Sequence, residues 1–318
     1  MRKRKLGSTG IEVSEMAFGT VALGLPYGLG IEHESQLLPE DQAIQLLQTA
    51  LDQGVNFFDT ARQYGKSEAL LGRAFRQRRQ EVIIATKCAH LRQGGHTLPA
   101  EKELAAAIER SLGESLDALQ TGYVDLLMLH DGDEEMIRHN GIKKIFERYK
   151  KEGVIRATGV STYTPRETKA VMDSGAWDVV QVPFNLMDQR QAVLFEELEQ
   201  QGMGIVIRSV LLKGLLSERA EALHPALTEV ARHIAAYAPL VNASGLRLPQ
   251  LATKFVLSFP QVSSVLVGID RMEYLREALD TVAGKALEPE FFEQARNAAF
   301  KDPDFLNLHN WSVQGWLK

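Results

Sequence analysis

Asn56-Phe57-Phe58-Asp59-Thr60-Ala61-Arg62-Gln63-Tyr64-Gly65-Lys66-Ser67-Glu68, running on through Leu70, Leu71 and Gly72, decides the fold of this chain. It opens as an apolar, strand-like run (Val55, Phe57, Phe58) and stops at a carboxylate. A turn containing Gly65 follows, and then a helical pattern begins. Strand, ionisable group, loop and helix in that order is how a barrel enzyme presents a reactive residue at the carboxyl end of a strand. An isolated Asp or Tyr in this setting is more simply a helix cap or a packing residue, so the other stretches carry the weight.

Moving outward, the same grammar repeats. Residues 3 to 14 read as a short hairpin turning at Ser8-Thr9-Gly10, and Met16 to Phe18 is a brief apolar run ended by Gly19. From Thr20 to about Pro39 the chain is Gly-rich without helical period, which predicts a long loop; loops of that length are usually functional. Ala43, Leu46, Leu47, Ala50 and Leu51 then fall on one helical face. Strand-like runs recur near 83, 126, 157, 180, 205 and 265, nearly all followed by a helical pattern. With those near 16 and 56 they make eight strands, apolar almost throughout. Such strands alternating with amphipathic helices predict a parallel sheet covered on both faces. Eight units over about 250 residues predict a (β/α)8 TIM barrel, expected as a single domain over 1–318. A doubly wound open sheet is the alternative, and no Gly-x-Gly-x-x-Gly follows the first strand to support it. Residues 214 to 246 fit neither strand nor barrel helix and are expected to form an excursion carrying one helix, ahead of a barrel helix near 248 to 258.

Composition narrows the class. A net charge of -5 gives no sign of a nucleic-acid partner, and no apolar run approaches a membrane span. The basic start (Arg2 to Lys5) lacks an apolar segment behind it and is not a secretory signal. Cys88 is the only cysteine, which excludes an internal disulfide and fits a reducing cytoplasm. It is expected to be a core thiol. His33, His90, His96, His139 and His224 show no metal-ligand spacing and are expected on the surface or in loops, with no metal site. Phe291 and Phe292 begin a C-terminal helix, and nothing in the sequence places the tail from His309 to Trp316.

On this frame Asp59, Lys87 and His130 end the second, third and fourth strands, with Tyr64 in the loop after the second. Three successive strands thus deliver titratable groups to one rim. A Tyr phenol, with its ordinary pKa of about 10, is a weak acid at neutral pH. A neighbouring ammonium favours the phenolate, so Lys87 is expected to lower it, with Asp59 holding Lys87 in place. His130, as a neutral donor, can orient a carbonyl oxygen toward Tyr64. No nucleophile, paired acid–base carboxylates or metal cluster accompanies them. The set can give a proton to an oxygen, so a hydride must come from a cofactor.

The segments Asp59-Thr60-Ala61-x-x-Tyr64-Gly65, Thr86-Lys87 and Leu127-Met128-Leu129-His130 resemble the Asp/Tyr/Lys/His tetrad of the aldo-keto reductases, along essentially the whole chain. The resemblance implies an N-terminal β-hairpin closing the barrel bottom, Tyr64 as general acid, Lys87 and Asp59 tuning it, and His130 positioning a carbonyl. It also implies a nicotinamide cofactor, NADP by family default. Gly159-Val160-Ser161-Thr162 resembles the family's Gly-Val-Ser-Asn, whose last two side chains grip the nicotinamide carboxamide, and Gln181 matches the Gln completing that grip. Arg208-Ser209-Val210-Leu211 matches the segment that lies against the nicotinamide, with Arg208 able to stack by its guanidinium. The implied contacts also take in Gly19, Thr20, Asp59, Gly214, Gly268, Asp270, Arg271, Tyr274, Glu277 and Ala278. Asp270 stands where many NADP-dependent members carry a cation. It is expected either to accept from the 2′-hydroxyl of NAD or to cap the helix starting near Arg271, while Arg271 could reach a phosphate. Tyr27, in the Gly-rich loop, is a candidate for lining the substrate pocket.

These readings predict reduction of an aldehyde or ketone, the substrate being a small carbonyl compound or sugar. A sugar or secondary-alcohol dehydrogenase working in the oxidative direction is the enzymatic rival. A cofactor-sensing regulatory subunit is the rival from another class.

Overall fold

A computed structural model describes residues 1–92, 97–220 and 223–317. The two strands β1 (Lys3–Lys5) and β2 (Glu12–Ser14) form an antiparallel hairpin. Then β3 (Met16–Gly19), β4 (Phe57–Asp59), β5 (Ile83–Lys87), β6 (Val124–Leu129), β7 (Ile155–Ser161), β8 (Val179–Pro183), β9 (Gly204–Arg208) and β10 (Ser264–Gly268) close into a parallel barrel, β10 pairing with both β9 and β3. All eight expected strands are present in the expected order.

The near-continuous apolar strands have the anticipated cause. One side of each strand fills the barrel interior, where Phe57, Ala85, Leu126, Met128, Ala157, Val179 and Val206 pack together. Alternate residues, such as Phe58, Ile84 and Leu127, face outward against helix residues including Leu71, Phe75 and Ile108. Both faces are therefore dry. The hairpin closes the bottom of the barrel: Leu6, Ile11 and Val13 join the interior cluster and are almost wholly buried. Each such side chain contributes about 1.5–3 kcal/mol on burial. Arg4 clamps the plug, donating to the carbonyls of Leu257, Phe259 and Val262 at 3.1, 3.1 and 2.7 Å and to the Glu15 carboxylate at 2.8 Å. Gly7 is obligatory there. Its φ is +55°, and a Cβ would stand 2.4 Å from the Gly202 carbonyl oxygen. With the bottom sealed, the carboxyl ends of the strands form the open mouth.

Two loop expectations need correction, and one short helix had no counterpart in the sequence reading. The Thr20–Pro39 stretch is not without helix: Val21–Gly24 makes one turn, and Glu34–Gln36 makes a 3-10 turn. The first turn seats Gly24 on the Tyr64 loop, where a Cβ would lie 1.9 Å from the Tyr64 carbonyl oxygen. The excursion at 214 to 246 carries two helices, Thr228–Ala235 and Ala238–Ser244, separated where Pro239 enters the first turn of the second. Asp133 caps a further short helix, Glu134–Arg138, by accepting from the Met136 amide at 3.0 Å.

The tail that had no sequence signal forms a helix, Leu308–Val313, with Trp311 buried and Ser312 3.5 Å from Lys213 Nζ. Cys88 is a buried core thiol. His96 lies outside the described residues. Among those described, no helix is long and apolar enough to cross a membrane, and no group of three or more His, Cys, Asp and Glu could hold a metal.

Candidate active site

At the mouth, strand register does the positioning. Gly268, Gly19 and Asp59 stand side by side across β10, β3 and β4, with Lys87 and Met128 paired across β5 and β6. Lys87, at the end of β5, is fully buried and reaches both Asp59 carboxylate oxygens, at 2.8 and 2.6 Å, and the Thr60 carbonyl at 2.9 Å. Gln181 Nε2 donates to the same carboxylate at 2.8 Å. Asp59 is thus held from two strands, and an ammonium is held beneath the Tyr64 ring, 5.0 Å from its centroid. His130 meets Tyr64 edge-on at 5.4 Å. The four groups named from the sequence converge.

Their electrostatics differ in one respect from the sequence expectation. Tyr64 is raised, not lowered: burial is the largest cause, and the Asp59 carboxylate adds to it. The cation that pulls Tyr64 downward is Arg208, which opposes burial and Asp59 without overcoming them. Burial likewise pulls the Lys87 ammonium down while Asp59 opposes it. His130 is pushed down to about 2, first by burial and then by Lys87, and stays neutral at any ordinary pH. Its Nδ1 is buried without a partner. A buried N–H without an acceptor is costly, so the proton is assigned to Nε2, giving a neutral donor. Together these groups can bind a carbonyl oxygen and deliver one proton to it.

The expected cofactor residues fall into two groups. Ser161 and Gln181 are buried and paired in register on β7 and β8. Thr20 bonds the Asp59 carbonyl through both its amide and its hydroxyl, bracing the end of β4. Thr162 is wholly buried, and its hydroxyl bonds that of Thr168 at 2.7 Å. Arg208 lies on the Tyr163 ring at 4.3 Å and donates to the Thr162 carbonyl at 3.0 Å. The loop after it is strained, with positive φ at Ser209, Leu212, Lys213 and Gly214, while Val210 is buried and Leu211 half-buried. Non-glycine residues in this region cost about 1–3 kcal/mol each, and such strain concentrates at binding sites.

Across the mouth, Gly268 is exposed, with no heavy atom within 4 Å of where a Cβ would stand. Asp270 does not cap the following helix, Met272–Ala283, whose N-cap is Arg271 without a side-chain bond. It pairs instead with Arg219 at 3.5 Å, and Arg219 lies over the Tyr274 ring at 4.9 Å. Glu277 is paired with Arg247, and Ala278 is in the core. Arg271 makes no ion pair among the described residues. Tyr27 is half-exposed at the mouth under Lys213, whose Nζ is 5.1 Å from its ring, and within electrostatic reach of Tyr64.

Four residues at this end were not picked out in the sequence. His90 and Asp131 line a cleft of about 470 Å³ beside His130, and Tyr163 borders it. The rule that loops after barrel strands build the site would have found these three; His90 was set aside because only metal spacing was sought. Arg219 had no local signal.

The Aldo/keto reductase family model matches residues 15–299. The uncharacterized oxidoreductase YqkF of Bacillus subtilis is 29% identical, over 91% of this chain and 94% of its own. L-galactose dehydrogenase of Arabidopsis thaliana is 31% identical, over 88% of this chain and 87% of its own. Among solved structures, the holo form of the aldo-keto reductase AKR11C1 from Bacillus halodurans superposes with a TM-score of 0.77 at 26% identity, covering 94% of this chain and 96% of that one.

Proposed function

The chain belongs to the aldo/keto reductase family, and from that membership we propose that it interconverts a carbonyl and an alcohol with a nicotinamide dinucleotide, Tyr64 serving as general acid. The observation that carries this is the buried Lys87–Asp59 pair under the Tyr64 ring with neutral His130 at its edge. When bound, NAD(P)H supplies the hydride that reduces the carbonyl carbon. His130 Nε2–H orients the carbonyl oxygen. Tyr64 transfers its hydroxyl proton to that oxygen as negative charge develops there. Because burial and Asp59 hold the proton on Tyr64, the resting site is charged for reduction.

The mouth fits such a cofactor. Ser161 and Gln181 lie beside Asp59 for the carboxamide end. Positive φ at Ser209 and again from Leu212 to Gly214 folds the loop after β9 into a tight turn at the mouth, where strain of this kind accompanies binding. Gly268 leaves open space at the end of β10, three residues before Arg271. On the choice of dinucleotide, Asp270 opposes a 2′-phosphate, and its pairing with Arg219 tempers both charges. We therefore assign appreciable use of NAD(H) alongside NADP(H).

Oxidation of a sugar lactol is the second reading. It is favoured by similarity to L-galactose dehydrogenase and by the polar side chains His90 and Asp131 in the cleft beside His130. The experiment is turnover by the purified chain with NADH, NADPH and their oxidised forms against a panel of aldehydes, ketones and aldoses. Reduction of an aldehyde is the expected result. Cofactor binding with no turnover of any member would instead favour the regulatory reading.

A further inference from the structure

We infer that His90, Asp131 and Tyr163 form a hydroxyl-recognition station that selects carbonyl substrates hydroxylated within two carbons of the reacting centre, the aldose class. This rests on the function proposed above and names its substrate.

The three side chains come from three different loops of the mouth. His90 follows β5, Asp131 follows β6 and Tyr163 follows β7, yet they meet. His90 Nδ1 lies 3.4 Å from the Asp131 carboxylate, and the Tyr163 phenol, raised chiefly by burial, also feels that carboxylate. His90 also stacks on His130, ring centroids 5.0 Å apart and planes inclined by 16°. A polar group is thereby set against the donor that receives the carbonyl oxygen. A substrate held at His130 by its carbonyl oxygen would bring the hydroxyls of its next carbons to His90 and Asp131. Asp131 and His90 each keep nearly half of their side-chain surface exposed, at 46%, so they retain hydrogen-bonding capacity toward the cleft.

The remaining charges of the cleft decide what kind of polar substrate suits it. Asp133 is committed to Arg92 and to capping a helix, and Glu167 to the backbone amides of Tyr163 and Thr164. Arg92 is held by Asp133 and Glu135. The carboxylate with an uncommitted outer face is Asp131. An anionic group on the substrate would be repelled there, whereas a hydroxyl donates to Asp131 and can accept from His90. A charged acceptor makes the stronger kind of hydrogen bond. An unhydroxylated aldehyde would leave these groups without their partner.

The test compares kcat/KM for glyceraldehyde and propanal, which differ only by the two hydroxyls, in the parent, Asp131→Ala, Asp131→Asn and His90→Phe. His90→Phe keeps a flat ring against His130 but removes both nitrogens. Taking the glyceraldehyde-to-propanal ratio of each variant relative to the parent cancels aldehyde hydration. That relative ratio should fall by roughly 10- to 100-fold in Asp131→Ala and in His90→Phe, the range for a charge-assisted bond, chiefly through KM for glyceraldehyde. Asp131→Asn should fall less, because the amide still accepts. An unchanged ratio in Asp131→Ala and His90→Phe, or a purely structural loss that lowers both substrates equally, overturns the station. Turnover of both aldehydes by the parent without preference also overturns it, while leaving the proposed function standing. Turnover of neither with any nicotinamide cofactor removes the function and the station together.

Discussion

Two sectors of the barrel mouth are held in different ways. The sector at β4, β5 and β6 is rigid by construction: Asp59, Lys87 and His130 end strands paired in register, and a buried ion pair with a third partner, Gln181, locks its centre. The sector at β9 and β10 is held by loops. Its backbone carries positive φ at Ser209, Leu212 and Lys213, and its charges are paired across long sequence distances, Arg219 with Asp270 and Arg247 with Glu277. The difference teaches that one side of the mouth has its geometry fixed by strand ends, while the other is set by adjustable side-chain pairs.

Breaking the rigid sector should have the largest effect. Lys87→Met leaves the Asp59 carboxylate buried without its cation, which typically costs 3–5 kcal/mol, roughly, in stability. Turnover should fall by roughly 10²–10⁴-fold, as much as on loss of the proton donor itself. Asp59→Asn should lose less, because the amide oxygen can still accept from Lys87. Urea unfolding and steady-state rates on the two variants check both points, and equal, mild losses would show that the pair is only packing.

The adjustable sector should discriminate less sharply. The ratio of kcat/KM for NADPH over NADH is expected to stay below about 10³, roughly 4 kcal/mol. A larger preference would show that Arg219 and Arg271 dominate a 2′-phosphate site and that Asp270 is neutralised within its pair.

The smallest effect sharpens the rigid side through pH. His130 has an ordinary value of 6.5 and is pushed down to about 2 in the fold. Above 6.5 it is neutral folded and unfolded, so its contribution to stability is fully present. As pH falls from there toward 2, the unfolded chain takes a proton that the fold refuses, and stability is lost. The slope from this group approaches about 1.4 kcal/mol per pH unit. Denaturation midpoints between about pH 5 and pH 7 should therefore fall more steeply in the parent than in His130→Asn. Identical slopes would mean that His130 is not buried as a neutral ring.

How much of each sector was legible in the sequence follows from the same contrast. The barrel and the meeting of Asp59, Tyr64, Lys87 and His130 could be read because each strand is a short apolar run, ended in these cases by a charged or polar residue, and register does the rest. The bond of Thr162 to Thr168 could not be foreseen, because Thr168 lies on the next helix and a hydroxyl satisfies either side equally well. Asp270 was read as a cap or a ribose ligand because both signals are local, whereas the residue that holds it is Arg219, 51 positions earlier in an excursion without strand or heptad pattern. The direction of the Tyr64 shift was missed because the pairing of Lys87 with Asp59 was weighed without the burial of the ring.

The central claim is that Tyr64 gives the proton. Tyr64→Phe removes one hydroxyl and keeps the ring over Lys87 and against His130, so cofactor binding should be nearly unchanged. Single-turnover rates with saturating reduced cofactor and an aldehyde should fall by about 10²–10⁴-fold. A Tyr64→Phe variant that binds cofactor normally and retains most of the parent rate would contradict the account.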